Sequence, residues 1–112
     1  MKNYGPVISF TSDFGTNDGY TGTVKGVILS RAPQAVIVDV CHQIEPWNVT
    51  SAAWIISSAY KYFPQGTIHI VVVDPQVGSA QRRILLKTDS ELFLAPDNGI
   101  LTLILKEPVS YT

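Results

Sequence analysis

One apolar run, residues 68–73, constrains the fold of this chain more than any other feature. It reads Ile-His-Ile-Val-Val-Val and is followed at once by Asp74 and Pro75. Such a dense run of β-branched residues predicts a strand buried on both faces, as inside a parallel sheet. Because proline cannot donate to a strand ladder, the chain must turn at Asp74. We therefore expect Asp74 at the carboxyl edge of a sheet, where open α/β folds bind ligands.

The segments before this run alternate between strand-like and helix-like patterns. Strands are predicted at residues 7–10 and 36–40, and helices at residues 20–31 and from residue 49 to about residue 62. Asn17 or Asp18 is expected to cap the first helix, and Asn48 the second. Right-handed crossovers between these strands give an α/β fold, a three-layer α/β/α domain with a mostly parallel sheet.

The pattern changes after Asp74. Two short strands are predicted at residues 84–87 and 92–95, and a dense turn signal, Pro-Asp-Asn-Gly, follows at residues 96–99. Residues 100–105 fit a helix or a strand by period alone, although the flanking residues favour a short helix. The last residues, 107–112, show no terminating pattern, so we expect the domain to continue beyond them.

Composition limits the class of protein. The 112 residues suffice for one domain, and 46% hydrophobic with 15% charged residues indicates a globular core. A net charge of −1 without a basic stripe argues against nucleic acid as a partner. The single cysteine, Cys41, suits a reducing compartment. With no membrane-length apolar run and a short polar N-terminus, the sequence predicts a cytoplasmic protein without membrane association.

Three loops are expected to meet at the carboxyl ends of the first three strands. The first carries Asp13 and Asp18, the second carries His42, Glu45 and Trp47, and the third carries Asp74, Arg82 and Arg83. A crevice that is acidic and has an aromatic wall favours a cation or a sugar diol over a polyphosphate. The sequence contains neither a glycine-rich phosphate fingerprint nor metal-ligand spacing, so no cofactor and no metal are expected.

Most of these candidates also have a purely structural interpretation. Asp13 could form a local turn, Asp18 could cap a helix, Trp47 could cover the core, and the two arginines could be solvated edge residues. His42 and His69 are expected to make structural hydrogen bonds, His69 within the core. Asp74 is the hardest to explain structurally, because a carboxylate after a buried strand is costly without a partner or a ligand.

Four motifs in the same order carry a resemblance to a known family. They are residues 11–15 (Thr-Ser-Asp-Phe-Gly), 38–42 (Val-Asp-Val-Cys-His), 73–78 (Val-Asp-Pro-Gln-Val-Gly) and 95–99 (Ala-Pro-Asp-Asn-Gly). The sequence resembles the S-adenosyl-L-methionine (SAM) hydroxide adenosyltransferases, which are adenosine-forming SAM hydrolases related to the fluorinase and chlorinase. The resemblance implies that residues 1–112 are the N-terminal α/β/α domain, without the C-terminal β-barrel domain. It also implies homotrimers with active sites between the N-terminal domain of one subunit and the C-terminal domain of the next.

The implied reaction is attack of water or hydroxide on the 5′ carbon of the SAM ribose, which yields adenosine and methionine. By position, Asp74 matches the catalytic aspartate, and the pair Arg82 and Arg83 contains its arginine partner. Asp13 matches the ribose-binding aspartate, and further substrate contacts match Asp18, Trp47 and Asn98. SAM is thus the implied substrate and no cofactor is implied.

Three departures from the family pattern keep alternatives open. The loop after Asp74 is one residue longer than usual and has Gln76 in place of a glycine, which leaves the arginine match open. The halogenases carry tyrosine and threonine where this chain has Asp74 and Val77, which favours a hydrolase. The family's catalytic histidine and its barrel lie beyond residue 112, so the chain alone is expected to be inactive. The alternatives are a catalytically dead α/β ligand-binding or assembly module, and a SAM-dependent halogenase.

Overall fold

A computed structural model of the chain describes residues 5–73, 82–106 and 110–111. Its elements are β1 Val7–Ser12, α1 Tyr20–Arg31, β2 Val36–Cys41, α2 Val49–Ala59, β3 Ile68–Val72, β4 Arg83–Lys87, β5 Leu92–Pro96 and β6 Ser110–Tyr111. Short 3₁₀ helices span Tyr60–Tyr62 and Ile104–Lys106. The predicted succession of strands and helices is confirmed, and α1 has the predicted bounds.

The described strands form one sheet in the order β2-β1-β3-β5-β4-β6. β1 is parallel to β2 and β3, and β3 is parallel to β5, whereas β4 is antiparallel to both β5 and β6. The sheet is therefore mostly parallel, as predicted. The sequence did not predict that β5 would join β3, or that β6 would exist. Because β5 is parallel to β3, it ends at the same edge of the sheet as β1, β2 and β3.

The two helices lie on opposite faces of the sheet. Ser9, His69 and Phe93 are side by side in register and so share one face. On that face α2 contributes Ala52 and Ile56 to the main core. The other members of the core cluster are Ile44, Tyr60, Val71, Val73, Leu86, Phe93, Ala95, Ile100, Leu101 and Ile104. On the opposite face Lys25 of α1 reaches Asp39 of β2, so the three-layer arrangement is confirmed.

The prediction that β3 is buried on both faces was wrong. His69 and Val71 are fully buried on the α2 side, whereas Ile68, Ile70 and Val72 are only partly buried on the other. Next to Ile70 on this second face, Leu94 of β5 and Leu85 of β4 are 38% and 42% exposed. The side of the sheet that carries α1 is therefore apolar but incompletely covered by the described residues.

The helix termini confirm one predicted cap and correct another. Asn48 caps α2 as predicted, since its side-chain oxygen accepts from the Ser51 N–H at 2.9 Å. Gly19, rather than Asn17 or Asp18, is the N-cap of α1, with a left-handed φ of 79° that favours glycine. Asp18 still accepts from the Tyr20 N–H at 3.1 Å.

Two further predictions concern the C-terminal half and membrane association. Residues 100–103 form turns that lead into the Ile104–Lys106 3₁₀ helix, so the segment is helical rather than a strand. None of the helices in the described part of the chain has both the length and the hydropathy needed to cross a bilayer.

Candidate active site

Most of the predicted site residues lie along one edge of the sheet. Asp13 follows β1, Trp47 lies in the loop after β2, and Asn98 follows β5. β4 begins at this edge, because Arg83 is opposite Pro96 in the antiparallel pair. Asp74, Gln76 and Val77 lie outside the described residues, although β3, which precedes them, ends at the same edge.

The sheet order creates a crevice between β1 and β3. β1 connects through α1 to β2 on one side, whereas β3 leads toward β4 and β5 on the other side. Adjacent parallel strands whose connections leave in opposite directions open a cleft beyond their carboxyl ends. Asp13 therefore follows a strand that borders this cleft.

The carboxylate of Asp13 joins the loops that follow β1 and β2. Its Oδ2 accepts from the backbone N–H of Trp47 at 2.8 Å, across 34 positions of sequence. Its only other oxygen, Oδ1, has no hydrogen-bond donor among the residues that the structure describes. The half-buried side chain of Asp13 therefore connects two loops, and the interpretation that it forms a local turn was wrong.

Trp47 has an unusual backbone and an exposed side chain. Its φ is 67°, in the left-handed region that non-glycine residues rarely adopt. Its side chain is 65% exposed, so the interpretation that it covers the core was wrong. Strain of this kind costs on the order of 1–3 kcal/mol and persists where surrounding contacts enforce it. Here the bond from its N–H to Asp13 is one such contact.

Asn98 contacts the end of β3 directly. Its side-chain N–H donates to the carbonyl of Val73 at 2.8 Å, and its Oδ1 accepts from the Ile100 N–H at 3.3 Å. Val73 is the residue before Asp74 in the sequence. Asn98 therefore links the turn after β5 to the chain that leads into the predicted catalytic position.

The two arginines lie at the same edge, at the start of β4. Arg82 donates to Asp97 Oδ2 at 2.7 Å, while the Asp97 N–H donates to the Arg82 carbonyl at 2.8 Å. The side chain of Arg82 is 80% exposed, and Arg83 is also exposed. Both arginines are thus at the carboxyl edge, and Arg82 has an acidic partner there.

Asp18 is exposed, and its described contact is the local bond to the start of α1. In the ranges 5–73, 82–106 and 110–111, no group of three His, Cys, Asp or Glu side chains is arranged to hold a metal ion.

A chain of polar side chains, buried at Ser12 and His42 and exposed at Asp39, lies behind the Asp13 loop. Ser12 Oγ and His42 Nδ1 are 2.6 Å apart, and His42 Nε2 is 2.7 Å from Asp39 Oδ1. The other oxygen of Asp39 pairs with Lys25. Burial alone would raise the pKa of the Asp39 carboxyl, but the hydrogen bonds of Lys25 and His42 outweigh it and hold that pKa below its usual value. The prediction that His42 makes structural hydrogen bonds is confirmed.

An irregularity in the pairing of β1 with β2 brings these side chains together. Phe10 is opposite Asp39, but Thr11 is opposite Cys41, so Val40 is an extra residue in β2. In a regular strand, residues three apart point to opposite faces. A bulge restores them to the same face, and His42 and Asp39 can therefore both bond within one network.

This network resembles a Ser-His-Asp triad in composition but not in accessibility. Ser12 is completely buried and His42 nearly so, and a nucleophile must be reached by its substrate. The sequence contained a weak signal for the network in Asp39 and His42. The bulge that aligns them, however, depends on a pairing with a strand about 30 residues away.

Comparison with known proteins assigns the chain to a family. The sequence model of the SAM hydroxide adenosyltransferase N-terminal domain matches residues 8–111. This chain belongs to that family. A relative from Methanocaldococcus jannaschii, (R)-S-adenosyl-L-methionine hydrolase, is 41% identical in an alignment over 103 residues that covers 88% of this chain and 39% of the relative. The family predicted from four motifs is thus confirmed.

Two further relatives extend the comparison. A fluorinase from Actinopolyspora mzabensis is 31% identical over 125 residues, covering 91% of this chain and 42% of the fluorinase. The crystal structure of an uncharacterized conserved protein from Thermotoga maritima has a TM-score of 0.88 and 40% identity, covering 92% of this chain and 40% of that one. The chain therefore spans about two fifths of the length of the relatives it matches.

Proposed function

We propose that the protein containing this chain hydrolyses SAM to adenosine and methionine. The observation that carries the proposal is the Asp13 carboxylate at the crevice between β1 and β3. One of its oxygens is held by Trp47, and the other has no donor among the described residues. A carboxylate so placed can accept charge-assisted hydrogen bonds from both hydroxyls of a ribose.

The chemistry needs few groups. Water or hydroxide attacks the 5′ carbon, the carbon–sulfur bond breaks, and its electron pair neutralises the sulfonium. Because methionine leaves as a neutral thioether, no general acid is required at the leaving group. The protein has to hold the ribose, orient and activate one water molecule, and exclude the remaining solvent. SAM is the substrate, and the reaction as written uses no cofactor.

We assign these tasks to the residues at the carboxyl edge. Asp13 binds the ribose hydroxyls, and the neighbouring substrate contacts come from Asp18, Trp47 and Asn98. Asp74 activates the water, with Arg82 or Arg83 as its cationic partner. The link from Asn98 to the Val73 carbonyl supports this arrangement, because it ties one proposed substrate contact to the residue before Asp74.

Several features favour hydrolysis over halogenation. Asp74 and Val77 stand where the halogenases have tyrosine and threonine. The alignment to the fluorinase extends over 125 positions although it covers 91% of only 112 residues, so the fluorinase contains a stretch without a counterpart here. The hydrolase alignment over 103 residues contains little such excess.

Because the relatives are longer, the rest of the assembly is also proposed. Residues 1–112 form the N-terminal domain of the enzyme, and a C-terminal barrel closes the site. The complete enzyme is a cytoplasmic homotrimer in which the barrel of a neighbouring subunit completes each site, without nucleic acid or membrane as a partner.

The test is an incubation of SAM with the longest polypeptide that contains this chain, followed by chromatography for adenosine and methionine. In water enriched in oxygen-18, the label should enter the 5′ hydroxyl of adenosine. Asp74→Asn should abolish the reaction, whereas Asp89→Asn, an exposed carboxylate in the β4–β5 turn at the opposite edge, should not.

Each outcome has a distinct meaning. Turnover by Asp74→Asn at the wild-type rate refutes the role of Asp74. Product that forms only with added chloride or fluoride identifies a halogenase. If the complete polypeptide forms no adenosine from SAM, the proposed activity is refuted, and the alternative of a catalytically dead binding or assembly module is supported.

A further inference from the structure

The network of Ser12, His42 and Asp39 contacts the Asp13 loop on both sides of Asp13. Ser12 precedes Asp13, and its Oγ accepts from the Phe14 N–H at 3.2 Å. The backbone carbonyl of His42 accepts from the Gly15 N–H at 2.7 Å. The residues on either side of Asp13 are therefore held by one histidine and its serine partner.

The groups of this network can satisfy one another's hydrogen bonds. Ser12 Oγ accepts from the Phe14 N–H, and its hydroxyl can donate to His42 Nδ1. When it does, His42 Nε2 carries a hydrogen and donates it to Asp39. Lys25 donates to the second oxygen of Asp39, so His42 and Lys25 both donate to this carboxylate, which links the Asp13 loop to α1.

Aromatic rings exclude water from the middle of this chain. The ring of Phe10 meets the His42 ring edge-on, with centroids 4.7 Å apart, and Phe14 lies against Phe10 at 6.1 Å. Ser12 is completely buried and His42 is 5% exposed. Hydrogen bonds in such a site are stronger than in water, and breaking one leaves its partner unsatisfied.

We propose that Ser12, His42 and Asp39 are positioning residues that orient the Asp13 carboxylate for the ribose hydroxyls. The inference rests on the proposed function, because Asp13 is the ribose-binding residue there. His42 itself is too buried to touch the substrate, so it acts through the loop. Displacement of this carboxylate by a fraction of an ångström weakens its hydrogen bonds to the ribose hydroxyls. Contacts of the protein with the rest of the nucleoside are affected less.

The affinity for a nucleoside with both ribose hydroxyls, relative to one without them, is a readout that a general loss of stability does not change. Adenosine carries both ribose hydroxyls, whereas 2′,3′-dideoxyadenosine lacks them. We expect the wild-type protein to bind adenosine about tenfold or more tightly than the dideoxy compound, as two charge-assisted hydrogen bonds permit. If the network orients Asp13, Ser12→Ala and His42→Gln should reduce this preference to about twofold or less.

The sheet offers a matched control in a second serine–histidine pair. Ser9 Oγ and His69 Nδ1 are also 2.6 Å apart and buried, but they lie on the α2 face of the sheet, away from the Asp13 loop. Ser9→Ala breaks a hydrogen bond of the same type and length. We expect it to lower stability while leaving the preference for adenosine unchanged.

The measurement is isothermal titration of each nucleoside into the longest polypeptide that contains the chain, with circular dichroism to confirm folding. Collapse of the preference in Ser12→Ala and His42→Gln but not in Ser9→Ala supports the proposal. An unchanged preference in Ser12→Ala overturns it, and this milder variant decides the matter if His42→Gln does not fold.

The same experiment separates this inference from the proposed reaction. A wild-type protein that binds both nucleosides equally overturns the role of Asp13 and the inference with it. A protein that prefers adenosine through the network but forms none from SAM retains the positioning role and loses the proposed reaction.

Discussion

His69 should make the stability of this domain fall as the pH falls below neutrality. The side chain is completely buried, with Ser9 on Nδ1 at 2.6 Å. The rings of Phe93, Phe63 and Tyr60 lie against the imidazole, with centroids 4.8, 5.3 and 6.3 Å away. Nε2 has no hydrogen-bond partner among the described residues. A second proton would therefore place a charge among aromatic rings, and burial lowers the pKa of His69 to about 4.

The size and sign of the effect follow from the two pKa values. The unfolded chain binds the proton near the ordinary pKa of 6.5, whereas the folded chain binds it only near 4. The contribution of neutral His69 to the free energy of unfolding is fully present above pH 6.5 and declines as the pH falls toward 4. In this window only the unfolded state gains the proton. At about 1.4 kcal/mol per pH unit, the loss across the window is roughly 3 kcal/mol.

Urea unfolding followed by tryptophan fluorescence, at about pH 7 and about pH 4.5, measures this loss. His69→Gln keeps an amide near Ser9 but cannot titrate. We expect its free energy of unfolding to fall between these pH values by roughly 2–3 kcal/mol less than that of the wild type. Contributions from Asp39 and from the remaining ionisable groups are common to both proteins and cancel. Equal losses in the two proteins would refute the argument that His69 remains neutral in the core.

Two further predictions concern the α2 cap and the arginines. Asn48→Ala removes the acceptor for the Ser51 N–H and should lower the free energy of unfolding by about 1 kcal/mol, with Asn48→Asp restoring most of it in the same urea titration. Arg82→Gln and Arg83→Gln should each change stability by less than about 1 kcal/mol, because both side chains are exposed. A loss of SAM hydrolysis in one of them then identifies the catalytic partner, and full activity in both would exclude this role for either.

The elements that the sequence predicted correctly depend on local patterns. The bounds of α1 follow from helical spacing and a proline just beyond Ala32, and the cap at Asn48 follows from its side chain. The two histidines were correctly interpreted as hydrogen-bonded groups. The common edge at which most of the predicted site residues lie was predictable because parallel strands end together.

The features that were missed depend on pairing between distant segments. No local pattern predicted that β5 would pair with β3 or that Ser110–Tyr111 would pair with β4. The expectation that β3 is buried on both faces failed because the described residues cover one of its faces only partly. The network around His42 was missed because it requires the bulge at Val40, which is set by the register with β1. The Gly19 cap was missed because its left-handed φ, not a side chain, determines the start of α1.

The left-handed backbone of Trp47 has a consequence for ligand entry. The N–H of Trp47 donates to the Asp13 carboxylate at 2.8 Å, and both partners of this bond belong to the chain itself. The free-energy cost of this loop conformation is thus part of folding, and ligand binding does not add it again. We therefore expect a nucleoside to bind on this side of the cleft quickly, with little rearrangement of the loop between β2 and α2.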